Sequence, residues 1–174
     1  VSASLRQVPL DGFCGLYCGA CEVLRAEAGG RIEAMAKVFG MEPVAIHCAG
    51  CRSDDVFVNC SGCAIRACAS GRGCEFCSDC GDFPCDEFRR FALLGGRLPP
   101  HFLATMRNLA EIREKGPEEW RRLQGEKWAC PSCGLPFSWY ADTCGCGRDL
   151  DGIKDWQSLS DEDKAFFGAA RTGV

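Results

Sequence analysis

What the sequence lacks narrows its class first. No stretch reaches the roughly 18 consecutive apolar residues that a membrane-spanning helix needs. Residues 1–13 carry neither the basic start nor the apolar block of a secretory leader, so no leader peptide is expected there. Histidine is scarce: His47 and His101 stand far apart, and no His-Glu-x-x-His pair occurs. A phosphate-binding loop, a strand followed by a Gly-rich turn and helix, an internal repeat and a low-complexity segment are all missing. Neither sign of charge dominates, with 20 basic against 24 acidic residues and a formal net charge of −4. Bulk charge therefore gives no sign of a nucleic-acid role.

What is abundant is cysteine. Sixteen of the 174 residues are Cys, a share ordinary globular chains do not reach. They stand at Cys14, Cys18, Cys21, Cys48, Cys51, Cys60, Cys63, Cys68, Cys74, Cys77, Cys80, Cys85, Cys130, Cys133, Cys144 and Cys146. Pairs three positions apart recur, and a tight turn between such a pair aims both sulfurs at one point, as a tetrahedral metal requires. Disulfide frameworks spread their cysteines instead, because a bridge gains most by closing a long loop. Gly follows Cys at Gly15, Gly19, Gly81, Gly134 and Gly147, which suits a knuckle whose backbone turns back over the sulfur. All sixteen are read as metal ligands, with up to four zinc ions, and reduced thiols in that number point to the cytoplasm.

The spacing divides the chain. Residues 14–85 hold twelve cysteines and form a metal-binding unit. Within it, Leu24, Ala28, Ile32, Met35 and Phe39 mark one face of a helix over about 22–40, with a break possible at Gly29-Gly30. Residues 86–125 form a helical segment packed on that unit. A first helix carries Phe88 and Phe91 and ends near Gly95-Gly96; a second opens at Pro99-Pro100, with Phe102, Met106, Leu109 and Ile112 or Arg113 inward. Gly116-Pro117 stops that helix and starts a third, which holds Trp120 and Leu123. Residues 127–150 read as knuckle, strand and knuckle, with Phe137, Trp139 and Tyr140 between the two cysteine pairs. The tail, 151–174, has a cap signature at Ser160-Asp161-Glu162-Asp163 before Phe166-Phe167, which suggests a short helix. The expected fold class is α+β: a small, irregular, metal-stapled unit with helices, plus a C-terminal zinc-ribbon-like β-hairpin.

The motif order carries a resemblance. Cys14-Gly-Leu-Tyr-Cys18-Gly-Ala-Cys21, Cys48-Ala-Gly-Cys51-Arg52 and Cys60-Ser-Gly-Cys63-Ala-Ile-Arg66-Ala-Cys68 come first. Cys74-Glu-Phe-Cys77-Ser-Asp-Cys80-Gly-Asp-Phe-Pro-Cys85 follows. Together they resemble the cysteine-rich family called domain of unknown function 3795, over residues 14 to about 91. The resemblance implies metal binding and small soluble proteins of bacteria and archaea, and it supplies no activity. Separately, 127–150 resembles zinc ribbons, although one residue rather than two separates Cys144 from Cys146.

Tetrathiolate zinc is the first reading, and an iron–sulfur cluster at one site within 14–85 is its rival. Cys74-x2-Cys77-x2-Cys80 fits the start of a ferredoxin-like run, while Cys85 falls one residue late and follows Pro84. Cys14-x3-Cys18-x2-Cys21 has the spacing of radical S-adenosylmethionine enzymes, but Ala20 stands where those enzymes usually carry an aromatic. Compact sets Cys48/Cys51/Cys60/Cys63, Cys130/Cys133/Cys144/Cys146 and Cys68/Cys74/Cys77/Cys80 leave Cys85 to join Cys14, Cys18 and Cys21.

No catalytic constellation stands out, so an enzyme is not the favoured class. His47 is read as a hydrogen-bonded loop residue, with metal ligation as the alternative, and His101 as helix surface. Asp54-Asp55 is read as a solvated turn. Arg121-Arg122 is explained by helical ion pairs with Glu118, Glu119 and Glu126, and Arg52, Arg66, Arg72 and Arg148 as charges offsetting nearby thiolates. A protein partner suits the ribbon-like module; a nucleic-acid partner is the weaker alternative, and no membrane partner is expected.

Overall fold

The computed structural model describes residues 10–91 and 100–152. Seven α-helices and four short 3-10 turns make up its regular structure among those residues. Strand pairing there is confined to three isolated bridges, Asp11 with Tyr17, Ala129 with Pro136, and Thr143 with Asp149. The expected α+β class with a β-hairpin is thus corrected to a mostly helical fold. Trp139 shows why: its amide donates to the Ala20 carbonyl at 3.0 Å instead of to a neighbouring strand, and its ring is buried. The end of the first middle helix at Gly95-Gly96, the Pro99 start and the tail helix at Ser160–Phe167 lie outside the described residues.

The chain divides into two compact units, and the boundary falls inside one helix, Pro117–Lys127. The first unit takes residues up to Gly12, then Tyr17–Cys63 and Arg121–Gly152. In it the expected long helix is two helices, α1 (Glu22–Ala28) and α2 (Ile32–Phe39). Gly30 adopts φ +63° between them, and Arg31 N–H closes back on the Ala26 carbonyl at 2.8 Å. That is the six-to-one bond of a glycine-terminated helix. Val23, Ala36, Ile46 and Phe57 form the core there, and Ile32, Met35 and Phe39 pack against it. Phe39 and Phe57 meet as a tilted ring pair at 5.3 Å. Helix α3 (Val58–Ser61) closes this stretch, and the alternation of apolar positions gave no sign of it.

The second unit takes Phe13–Leu16 and Ala64–Trp120. It holds α4 (Ala64–Gly71), α5 (Asp86–Phe91), α6 (Thr105–Lys115) and the start of α7 (Pro117–Lys127). A 3-10 turn over Pro100–Ala104 occupies the expected first turn of α6. Trp120, Phe76, Phe88 and Leu109 are the largest fully buried hydrophobic side chains of the unit. Between Ile112 and Arg113, the buried one is Ile112. Gly15 sits so close to α6 that a Cβ there would meet Leu109 Cγ at 2.8 Å, and Asn108 Nδ2 donates to the Gly15 carbonyl at 2.8 Å. His101, expected on the helix surface, is instead half-buried beside Phe102, with ring centroids 4.5 Å apart. Burial of the imidazole pulls its pKa down to about 4.

Candidate metal centre

Four cysteines in the first unit bring their sulfurs to one place. The Sγ atoms of Cys130, Cys133, Cys144 and Cys146 all lie within 4.8 Å of one another. Cys130 and Cys146 are 3.7 Å apart, and Cys133 and Cys144 are 3.5 Å apart. A zinc–thiolate bond of about 2.3 Å gives a tetrahedral sulfur–sulfur edge of about 3.8 Å, so the donor set fits such an ion.

Two turns build this cluster. Cys130 N–H donates to the Leu135 carbonyl at 2.9 Å and Gly134 N–H to the Cys130 carbonyl at 2.8 Å. Cys144 N–H donates to the Arg148 carbonyl and Gly147 N–H to the Cys144 carbonyl, both at 2.8 Å. Gly134 and Gly147 take φ of +71° and +85°, which side-chain-bearing residues avoid. The tighter Cys-x-Cys spacing of the second turn is no obstacle to convergence. Leu150 packs with Cys130 and Cys144, and the buried Trp128 meets Phe137 edge-on at 5.6 Å.

The protons on these sulfurs are unevenly held. Burial pushes the Cys130 thiol up, but the Ser132 and Cys133 amides and the neighbouring sulfurs outweigh it and bring it down to about 6. At Cys133 the Leu135 amide lowers the pKa, while the shared bonds with Cys144, Cys146 and Cys130 and burial carry it to about 12. Cys130 is therefore a readier thiolate than Cys133. A metal would displace the remaining protons, so its affinity must fall as pH falls.

A second sulfur group lies in the same unit. Burial and the charges of Cys21, Cys48, Cys51 and Cys63 push the Cys60 thiol up to about 12. The Gly50 amide donates to Cys48 Sγ at 3.4 Å, as a knuckle amide would. Burial also raises Cys21 against the pull of the Leu24 and Val23 amides. Beside Cys21 lies the buried Arg25, whose Nε has no hydrogen-bond partner and whose pKa burial lowers. A guanidinium so placed is stabilised by negative charge, which metal-bound thiolates would carry.

Of the remaining cysteines, all but Cys18 belong to the second unit. Cys68, Cys74, Cys77, Cys80 and Cys85 line one cavity, Cys14 is buried, and Cys18, which belongs to the first unit, is half-buried at the start of a 3-10 turn. Two placements differ from the grouping drawn from spacing: Cys21 lies with Cys48 and Cys60, and Cys85 with the cavity group. None of the sixteen cysteines is in a disulfide.

The histidine and arginine assignments sharpen as well. His47 is exposed, with carboxylates on both ring nitrogens: Nδ1 is 2.8 Å from Glu27 Oε1 and Nε2 is 2.7 Å from Asp55 Oδ2. Neither nitrogen is left for a metal, and Asp55 is thereby an ion-pair partner. Arg122 pairs with Glu126 as expected, whereas Arg121 reaches Asp11 Oδ1 with its Nε at 2.7 Å. Arg52 grips the other oxygen of Asp11 through Nη2 at 2.6 Å and Nε at 2.9 Å. Arg52 thus answers a buried carboxylate rather than only thiolates. Asp11 carried no signal in the sequence: a single acidic residue before a Gly looks like any turn. Arg72 does reach a sulfur, its Nη1 donating to Cys80 Sγ at 3.2 Å.

No helix among the described residues is long and apolar enough to cross a membrane. Helices and cysteine knuckles, with one convergent four-sulfur set, define a cysteine-rich protein with a candidate metal site. In the comparison of sequences, residues 10–90 match the family described as "Protein of unknown function (DUF3795)". The match ends before the Cys130 set. No curated protein and no solved structure matches the chain.

Proposed function

We propose that this chain is a zinc-binding protein in which Cys130, Cys133, Cys144 and Cys146 hold a structural zinc ion as four thiolates. The convergence of the four sulfurs within 4.8 Å carries this reading. Zinc suits a closed, four-coordinate, all-sulfur site with no open position for a substrate. The ion would staple a segment with few apolar side chains of its own, chiefly Trp128, Trp139 and Leu150. Two paired knuckles, without a sheet, support a ribbon-like reading of this segment. Leu135 and Tyr140 are exposed on this segment, which favours a role in docking a protein partner. Sixteen reduced cysteines favour the cytoplasm as its compartment.

Metal analysis of the purified full chain tests this. The Cys130→Ser/Cys144→Ser variant should carry about one zinc ion fewer than the parent protein. Equal zinc in the two proteins would overturn the assignment, as would ready alkylation of all four thiols in the native parent.

A further inference from the structure

The cavity in the second unit encloses about 260 Å³, and five cysteines line it: Cys68, Cys74, Cys77, Cys80 and Cys85. We propose that it binds a polynuclear iron–sulfur cluster, with Cys74, Cys77 and Cys80 as three ligands and Cys68 or Cys85 as the fourth. This goes beyond the zinc at the Cys130 set and does not depend on it.

Three observations carry the proposal. A lone zinc ion draws its sulfurs to edges of about 3.8 Å, as the Cys130 set already shows, and leaves no void among them. Here five cysteines line a cavity, and although Cys74 and Cys80 share a hydrogen bond, no three of their sulfurs converge as the Cys130 set does, which suits a group that brings its own inorganic sulfide. Next, Cys74, Cys77 and Cys80 follow one another at the two-residue spacing that places three ligands on one face of a cluster. Their loop is fixed by the backbone: Cys74 N–H donates to the Ala69 carbonyl at 3.0 Å, Cys77 N–H to the Phe13 carbonyl at 2.8 Å, and Cys80 N–H to the Cys77 carbonyl at 3.2 Å. Lastly, the carboxylates in the wall are each answered by an arginine: Asp82 pairs with Arg72, Asp86 with Arg89 and Glu87 with Arg90. Arg72 donates to Cys80 Sγ at 3.2 Å while paired with Asp82 at 2.6 Å, a cationic hydrogen bond to a ligand sulfur. Ile65 and Phe83 supply apolar wall, which keeps water from the sulfides.

The test uses the full chain, purified without oxygen and reconstituted with ferrous iron and sulfide. About four iron and about four sulfide per chain, with a broad visible charge-transfer band, are expected for one 4Fe–4S cluster. The Cys74→Ser/Cys77→Ser variant should lose iron and sulfide together while keeping its zinc. Iron and sulfide retained by that variant would overturn the proposal, and so would a parent protein that takes up zinc at these cysteines and neither iron nor sulfide. Should the variant not fold, alkylation of the parent decides. Cys74, Cys77 and Cys80 should be protected in the reconstituted protein and modified in the untreated one; equal modification in both would refute the site. Zinc and iron are measured separately, so loss of the Cys130 zinc alone leaves this result unaffected.

Discussion

The four sulfurs of the Cys130 set close on a point, while the five cysteines from Cys68 to Cys85 line a cavity of about 260 Å³. Both sets are built from close-spaced cysteines in short loops, and what separates them is the backbone between the pairs. In the first, two glycine-terminated turns fold each pair inward, and the short stretch from Cys133 to Cys144 brings the pairs together. In the second, α4 carries Cys68 and a helix-ending turn returns the chain to Cys74, and Cys85 stands immediately before α5. Helices hold their cysteines apart as rods do; knuckles let them meet. Cysteine spacing therefore marks candidate ligands, while the intervening elements decide whether their sulfurs converge or stand apart.

The largest effect that would sharpen this contrast is metal removal. A structural zinc contributes roughly 10–16 kcal/mol of apparent binding free energy, more than a typical domain's whole stability. Stripping the zinc with a strong chelator should abolish amide-exchange protection over residues 128–150, read by hydrogen exchange with mass spectrometry. Protection that survives verified zinc loss would mean the Cys130 set is held by packing alone.

Next comes the buried carboxylate of the first unit. Asp11→Asn removes the charge that answers both Arg52 and Arg121, and breaking such a buried pair costs about 3 kcal/mol. Urea unfolding should show that loss with the zinc content unchanged. A loss below about 1 kcal/mol would place Asp11 among ordinary surface ion pairs.

A pH series separates the second unit from the first. His101 is neutral when folded, with its pKa lowered from 6.5 to about 4, so the unfolded chain binds the proton more readily. Its contribution is complete above pH 6.5 and declines as pH falls towards 4. Comparing urea midpoints of the parent and His101→Gln at pH 7 and pH 5 should show the variant falling less. Parallel falls would assign the acid sensitivity to the thiolates.

The smallest expected effect is Gly134→Ala. At φ +71° with nothing within 4 Å of the added methyl, the cost is conformational alone, about 1 kcal/mol. It should appear as a slightly weaker zinc competition constant. Any larger effect would mean that the turn moves the Cys133 sulfur.

Helices α1, α2, α5, α6 and α7 were legible in the sequence because apolar spacing and glycine or proline signals agree there, whereas α3 and α4 were not. Leu24, Ile32, Met35 and Phe39 lie inward as their period predicts, and Gly116 ends α6. The Cys130 set was legible because its ligands lie close along the chain. The β-hairpin was misread: Phe137, Trp139 and Tyr140 alternate like a strand, but the Trp139 amide found Ala20 rather than a strand partner. The relations of Asp11 with Arg52 and Arg121 were invisible, because no periodicity links single charged residues 41 and 110 positions apart. Cavity membership was hidden for a similar reason, since Cys85 reaches the cavity of Cys68 through the placement of α4 and α5, not through spacing.

Those long separations bear on the order in which the first unit assembles. Each knuckle of the Cys130 set closes a loop of a few residues, whereas Asp11 must find Arg52 across 41 residues and Arg121 across 110. Loop-closure entropy grows with that distance, so local turns form early and the clamp on Asp11 forms late. During synthesis Asp11 emerges long before Arg121, and it stays a solvated carboxylate until the last of its partners arrives. The clamp is thus a latch on completed folding, and any truncation that removes Asp11 leaves the knuckles able to close but the unit without its final fastening.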